Sequence, residues 1–244
     1  MIDIHTHLLP SVDDGSKSIE ETRALIKEAI QDGISDICLT PHFSRVDGYL
    51  YKKDELLKAF NNLKEELKDL NINIYLGNEI MIERDVDNLI ENNKLCTINN
   101  SKYVLIEFPL DEYKKEYDDY LYDIKSLNLK IIIAHPERYS FINDDIIDSW
   151  INSGYYLQAN ASSLNRKETR KLLFKLIEEG KISLFASDSH NKHRPCILSS
   201  AYKLIEKNFN KEISDVLFNI NPYNILNDVN LVKLNKVKKK RFVL

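Results

Sequence analysis

The sequence predicts an α/β protein, a closed or nearly closed β/α barrel of TIM-like form, and three observations lead there. Short apolar runs alternate with amphipathic stretches along the chain. Runs such as YVLIEF and KIIIAH carry apolar residues at successive positions, as parallel strands covered on both faces require. Five of the six histidines fall at or just past the C-terminal end of an expected strand, the edge where such barrels carry their sites.

The elements follow in order. Strand one covers 1–7. A helix over 18–31 has Ser18 as N-cap, Glu21 at the capping-box position and Gly33 near its stop. Strand two covers 34–40, and a long helix over 53–70 buries Leu56, Leu57, Phe60, Leu63 and Leu67. Strand three (72–77) precedes a short helix (86–92), and strand four (103–108) a helix over 116–127. Strand five (129–134) is followed by a helix at 144–153, and strand six (155–160) by one at 166–179, closed by Gly180. Strand seven (182–187) and helices near 197–208 and 211–219 complete a body of seven strand–helix units.

A chain of 244 residues suits one such domain. The expected division is 1–230 for the barrel and 231–244 for a basic, apolar-ended tail, LVKLNKVKKKRFVL. Net charge of −4 argues against a nucleic-acid binder. No window resembles a membrane span, and MIDIHTHLLP lacks the basic and long apolar regions of a signal peptide, so a cytoplasmic protein is expected. The tail could be a solvated end or a contact with an anionic membrane surface. Cys38, Cys96 and Cys196 are not followed six positions on by arginine but by Ser44, Lys102 and Tyr202, which argues against a thiolate phosphatase loop.

His5 and His7 end strand one, His42 follows strand two, His135 ends strand five and His190 follows strand seven; His193 lies further out. Glu79, Glu107 and Asp188 occupy equivalent places, and Asp13 and Asp14 sit in the loop after strand one. A single histidine at such a position is more often a satisfied core residue, but five at one rim reverse that balance. So many clustered carboxylates would repel one another and protonate unless divalent cations compensated them. Imidazole and carboxylate without thiolate suit Mn²⁺, Fe²⁺ or Zn²⁺, and residue types do not decide among them; Mn²⁺ is the first expectation for restoring activity. One ion takes about four to six ligands, so two or three ions sharing a carboxylate fit this set better. Paired ions are a recurrent clamp for in-line displacement at phosphorus. Arg138 and Arg194 follow His135 and His190, and their planar forks match phosphate oxygens. Asn160 and Asn191 lie near the same rim, either as polar contacts or as turn residues.

At these residues the sequence resembles the polymerase and histidinol phosphatase (PHP) superfamily, and most of all the bacterial protein-tyrosine phosphatases of capsule and exopolysaccharide loci. The blocks are Asp3-Ile4-His5-Thr6-His7, Val12-Asp13-Asp14-Gly15, Thr40-Pro41-His42, Gly77-Asn78-Glu79-Ile80, Leu105 to Phe108, Ala134 to Tyr139 and Ser187 to Asn191. The isolated H-x-H is a weak signal; the ordered series is a strong one. The resemblance implies a distorted seven-stranded barrel of the PHP type and three metal sites. His5, His7 and Asp188 with bridging Glu79 would serve the first, Glu79, Glu107 and His135 the second, and His42 and His190 with Asp14 rather than Asp13 the third. Arg138 and Arg194 would bind phosphate. The implied substrate is a phosphotyrosine-bearing protein, the tyrosine-rich tail of a membrane-associated bacterial tyrosine autokinase that controls polysaccharide export, met at the inner face of the membrane. Residues 44–53 and the tail match no family block, and the oligomeric state is left open.

Three other functions compete. A small-molecule phosphatase such as histidinol-phosphate phosphatase shares the chemistry, but the V-D-D-G block and compact chain favour the tyrosine branch. A C–N hydrolase of the amidohydrolase kind also begins with H-x-H; it wants a bridging lysine and an eighth strand, whereas strand four ends in Glu107. A non-catalytic binding protein leaves the clustered ligand types unexplained.

Overall fold

A computed structural model describes residues 1–240, so Arg241, Phe242, Val243 and Leu244 of the tail lie outside the described residues. The chain runs through β1 (Ile2–Thr6), α1 (Ile19–Gln31), β2 (Asp36–Leu39), β3 (His42–Phe43), α2 (Lys53–Glu66), β4 (Asn73–Leu76), β5 (Glu79–Met81) and α3 (Val86–Glu91). It continues with β6 (Tyr103–Glu107), α4 (Glu116–Ser126), β7 (Lys130–Ala134), α5 (Asp144–Asn152), β8 (Tyr156–Asn160), α6 (Lys167–Glu178) and β9 (Leu184–Ala186). Helices α7 (Ser199–Asn208), α8 (Lys211–Asp215) and α9 (Asn221–Leu226) follow.

All strand pairs are parallel, in a three-stranded sheet ordered β1-β2-β4 and a six-stranded sheet ordered β3-β5-β6-β7-β8-β9. Two expected strands are therefore each extended by a second segment beyond a kink. At the first kink Pro41 has no N–H to give. At the second, Gly77 leaves no room for a side chain, because a Cβ there would meet Ile98 Cδ1 at 2.7 Å. Asn78 bridges the kinks by donating from Nδ2 to Pro41 O at 2.9 Å. A single bridge, Thr6 to Ser189, joins β1 to the chain beyond β9. No ladder links β4 to β6, so among the described residues the pairing does not close into a ring.

Ser18 caps α1 by accepting from the Glu21 N–H at 3.2 Å. Helix α2 ends at Glu66, four residues short of the expected stop. The expected helix over 211–219 instead passes from α8 into a π-turn (Val216–Ile220) and on into α9, where Pro222 cannot donate the next helical bond. Most of the core lies between the strands and the surrounding helices. A second, smaller core holds Ile2, Ile4, Tyr103, Leu105, Ile132 and Leu184 against Ile225, Leu226 and Leu231. That end of the strands is closed by apolar side chains; the other end carries the polar rim.

Residues 231–240 run as an extended strap along the body. Leu231 is buried, and Leu234 and Val237 pack on the larger core. The Val237 N–H donates to Glu178 O at 2.9 Å and the Lys240 N–H to Asn208 O at 2.7 Å. Gly180, at φ +71°, admits the Leu234 carbonyl where a Cβ would collide with it. Lys239 Nζ lies 4.7 Å from the Phe174 ring centroid. No helix among the described residues is long and apolar enough to cross a membrane.

Candidate metal centre

The rim is assembled from strand ends. His5 is on β1 and His7 just past it; His42 and Glu79 open β3 and β5; Glu107 closes β6; His135 follows β7; Asp188 and His190 follow β9. His135 (φ +30°) and Asp188 (φ +55°) both sit in the left-handed region. Non-glycine residues occupy it at a cost of about 1–2 kcal/mol, and here the turn aims each side chain inward. Gly15 lets the loop after β1 fold back so closely that a Cβ would strike the His7 carbonyl, and the Ser16 N–H donates to that carbonyl at 3.0 Å.

That loop gives Asp13 and Asp14 different positions. Asp13 is buried and fully engaged: Oδ2 is 2.8 Å from His7 Nδ1 and accepts from the His42 N–H at 3.1 Å, while Oδ1 accepts from the Gly15 N–H at 3.0 Å. Asp14 is half-exposed and presents Oδ1 at 3.5 Å to both His42 Nε2 and His190 Nε2.

At the centre, His5 Nε2 and His7 Nε2 are 3.2 Å apart. Glu79 Oε2 lies 3.1 Å from each of them and 3.2 Å from His42 Nδ1. Glu79 Oε1 is 3.0 Å from His135 Nε2, which is 3.4 Å from Glu107 Oε1. Asp188 Oδ1 stands 3.5–3.6 Å from His5 Nε2, His7 Nε2 and His190 Nδ1.

The partners of the outer ring nitrogens fix the tautomers. His5 Nδ1 meets Gln158 Oε1 at 2.8 Å, and Gln158 is oriented by donating from Nε2 to Asn160 Oδ1 at 2.9 Å. His7 Nδ1 meets the Asp13 carboxylate. Each Nδ1 therefore carries the proton and each Nε2 turns a lone pair inward. Two imidazole lone pairs and a carboxylate oxygen converge, and buried Glu79 Oε2 has no hydrogen-bond donor. A pocket of acceptors alone fits a cation.

Charge tells the same story. Burial alone would raise the Glu79 carboxyl, but His5 and His42 hold it well below the usual carboxylate range. Burial, and then Glu79 itself, push Glu107 well above it. Burial lowers His135, and burial with His7 takes His190 down to about 3, so both offer neutral nitrogen. Against burial, Glu79 raises His5 and Asp13 raises His7, so without an ion the carboxylates favour a proton on these rings, and a bound cation would take the place of that proton on the Nε2 lone pairs. Among the described residues four overlapping groups could hold an ion: His7, Asp14, His42 and His190; His5, His135 and Asp188; His5, His7 and Glu79; and His42, Glu79 and Glu107.

Arg138 and Arg194 meet on one atom. Asp188 Oδ2 accepts from Arg138 Nη1 at 3.0 Å, Arg194 Nη2 at 2.5 Å and Asn160 Nδ2 at 2.7 Å. Both guanidiniums remain partly exposed. Asn191 forms the turn that ends at Arg194, and His193 stands exposed outside the cluster. A cleft of about 710 Å³ opens beside Asp14, His42 and Glu107; Tyr49 borders it, and Met81, Pro109, Leu110, Tyr117 and Tyr120 contribute to its wall.

Four residues escaped the sequence reading. Gln158 was signalled by a polar side chain inside the apolar strand YLQAN. Asp3, the first residue of D-x-H-x-H, accepts from the Ser187 N–H at 3.1 Å and ties β1 to the end of β9. Glu137, raised by burial to about 7, accepts from the Asn160 N–H at 2.9 Å. Tyr49 had no signal in the sequence. The three cysteines are free and buried; burial raises their thiols, that of Cys96 to about 11.

A convergent imidazole–carboxylate centre with two arginines, gathered at one end of the parallel strands, is a candidate metal-dependent enzyme site on an α/β scaffold. The chain belongs to the CpsB/CapC family: the family described as "Capsular polysaccharide synthesis, CpsB/CapC" matches residues 1–227. It is 37% identical to CapC of Staphylococcus aureus over 215 residues, 83% of this chain and 82% of that one. It is 32% identical to tyrosine-protein phosphatase CpsB of Streptococcus agalactiae over 239 residues, 93% and 98% of the two chains. Among solved structures it matches one described with YwqE from Bacillus subtilis and CpsB from Streptococcus pneumoniae as "unique metal-dependent tyrosine phosphatases". The TM-score is 0.91 at 29% identity, covering 99% of this chain and 100% of that one. A histidinol phosphate phosphatase of Lactococcus lactis, at 15% identity and a TM-score of 0.56, shares the fold alone.

Proposed function

We propose that this protein is a metal-dependent tyrosine-protein phosphatase, a phosphoric monoester hydrolase. The observation that carries the reading is the near-full-length likeness to metal-dependent tyrosine phosphatases, joined to a buried centre of acceptors that fits cations. The two sheets are read as a distorted seven-stranded barrel. Its rim would hold two or three ions: His5, His7 and Asp188 with Glu79; Glu79, Glu107 and His135; and Asp14, His42 and His190. Mn²⁺ would be the first ion to try, with Fe²⁺ and Zn²⁺ equally compatible with imidazole and carboxylate ligands. Bound divalent ions supply positive charge for phosphoryl oxygens and lower the pKa of water.

The chain's own residues do the rest. Gln158 and Asp13 hold His5 and His7 in the tautomer whose Nε2 faces inward. Arg138 and Arg194, positioned by Asp188, offer their remaining N–H groups to the phosphoryl oxygens. Burial and Glu79 push the Glu107 carboxyl well above its usual range, and a cation bound beside it would favour the carboxylate instead. The phenol leaves without a strong acid, since its pKa is only about 10.

The substrate would be a phosphotyrosine-bearing protein, with a membrane-associated bacterial tyrosine kinase of capsule or exopolysaccharide synthesis as the partner. The enzyme would then work in the cytoplasm at the inner face of the membrane. Lys233, Lys236, Lys238, Lys239 and Lys240 are exposed on the strap and would meet an anionic surface at about 1 kcal/mol each. Since Leu231 is buried, charge removal rather than truncation tests that contact.

The deciding experiment joins metal analysis to turnover of a phosphotyrosine peptide, with histidinol phosphate as competitor. The expected result is metal-dependent release of phosphate from the peptide and weak competition. Preferential hydrolysis of histidinol phosphate would transfer the protein to the small-molecule branch.

A further inference from the structure

Between β3 and α2 the chain forms a small rigid hairpin. Ser44 and Tyr49 exchange both backbone hydrogen bonds, at 3.0 and 2.8 Å. Ser44 Oγ donates to Asp47 Oδ2 at 2.6 Å, and Gly48 turns the tip at φ +80°. Arg45 pins the hairpin from outside: its N–H donates to Glu83 Oε1 at 2.9 Å and its Nη1 to Arg84 O at 2.6 Å. None of these bonds serves the metal centre. Their combined effect is to fix Tyr49, whose ring stacks on His42 with centroids 5.6 Å apart and planes 14° from parallel.

Tyr49 also borders the 710 Å³ cleft that starts at Asp14, His42 and Glu107. Met81, Pro109, Leu110, Tyr117 and Tyr120 give the cleft an apolar and aromatic wall, while Asp47, Glu83, Arg84, Lys114 and Glu116 also stand around it. A phosphate ester whose phosphoryl group meets the rim must lay its ester group in the first part of this cleft. A flat aryl group gains ring contacts there; a short alkyl group such as that of phosphoserine presents too little surface to do so.

We propose that Tyr49, held by the 44–49 hairpin, is a specificity-determining residue that selects aryl over alkyl phosphate esters by packing against the leaving group's ring. The assignment rests on the tyrosine phosphatase reading of the same site. It gives a purpose to a hairpin that contributes no side chain to the metal centre. It also predicts that the ring of Tyr49 matters and its hydroxyl does not.

The test compares Tyr49→Phe, Tyr49→Leu and Tyr49→Ala with the unaltered metal-loaded protein. Two peptides of one sequence, carrying phosphotyrosine or phosphoserine, give the kinetic selectivity. Phenylphosphonate and methylphosphonate give binding selectivity without turnover, and metal content is measured throughout. The expected result is that Tyr49→Phe stays within about twofold. Tyr49→Leu and Tyr49→Ala should lose about tenfold in kcat/KM for phosphotyrosine, mainly through KM, the size of one aromatic contact. Phenylphosphonate affinity should fall in parallel while the phosphoserine and methylphosphonate values hold. Tyr49→Leu, which keeps bulk over His42, decides the matter if Tyr49→Ala loses metal. An unaltered protein without aryl preference overturns both this proposal and the tyrosine phosphatase reading. Retention of the aryl preference by metal-replete Tyr49→Leu overturns the Tyr49 assignment alone.

Discussion

The two ends of the strands make opposite use of burial. At one end Ile2, Ile4, Tyr103, Leu105 and Leu184 meet Ile225, Leu226 and Leu231. Each large apolar side chain removed from water there contributes about 1.5–3 kcal/mol. At the other end His5, His7, Glu79, His135 and Asp188 are equally buried, and Glu79 Oε2 faces the Nε2 atoms of His5 and His7 with no hydrogen-bond donor. Burying such groups without donors opposes folding. One set of strands thus carries a stabilising floor and a rim whose central acceptors a cation would satisfy. The floor can give up stability without losing chemistry; the rim cannot be made comfortable without losing it.

The largest effect expected from breaking this contrast is at the rim. Chelation of the loaded protein should abolish turnover and lower the melting temperature together, because an ion bound to the folded state alone stabilises it. Mn²⁺ should restore both, and His135→Ala should lose metal as well as rate. Full activity of protein verified as metal-free would refute the arrangement.

A sharper cut separates charge at the rim from metal holding. Arg138→Ala should lower kcat by about a hundredfold, the cost of losing one donor to charge that develops at phosphorus. Metal content should hold, because Arg194 and Asn160 still occupy Asp188 Oδ2. Near-normal kinetics would remove Arg138 from the chemistry.

At the floor the signs reverse. Leu231→Ala should cost about 2–5 kcal/mol of stability, measured by denaturant unfolding, and leave kcat of the folded fraction within about twofold. A loss of rate without a loss of stability would mean that the strap communicates with the rim.

Much of this was legible in the sequence, for a physical reason. A parallel strand buried on both faces is a continuous apolar run, so its C-terminal end is easily seen, and His5, His42, Glu107, His135 and Asp188 are all referenced to such ends. Less legible were features set by backbone geometry or by partners distant in sequence. Pro41 and Gly77 each lie between two strand segments, and the close approach of Ile98 to Gly77 is a constraint set by a partner distant in sequence. Asp13 and Asp14 are neighbours with the same side chain, and only the fold-back at Gly15 turns one onto His7 and leaves the other facing His42 and His190. The strap turns every third residue toward the body, Leu231 buried and Leu234 and Val237 partly so, a period belonging to neither helix nor strand. Arg138 and Arg194 lie far apart in sequence, and nothing in their spacing says that one carboxylate oxygen holds both.

The smallest effect should come from the cysteines, which belong to neither end's working parts. Cys38 is buried with its Sγ making only a 4.0 Å contact to Leu39 O, so a serine there buries a hydroxyl with a poor partner. That should cost about 1–3 kcal/mol of stability. Cys196 Sγ donates to Asp3 Oδ2 at 3.2 Å, and a serine hydroxyl keeps a donor at that position, so the link from β1 to β9 should survive. Cys96, with its thiol raised by burial to about 11, is no thiolate at neutral pH. The triple Cys→Ser protein, assayed at a temperature where it remains folded, should therefore keep kcat for phosphotyrosine peptide within about twofold and keep its metal. If the rate collapsed while the fold and metal content held, a thiol would be taking part in the chemistry and the rim would not be the whole of the catalytic apparatus.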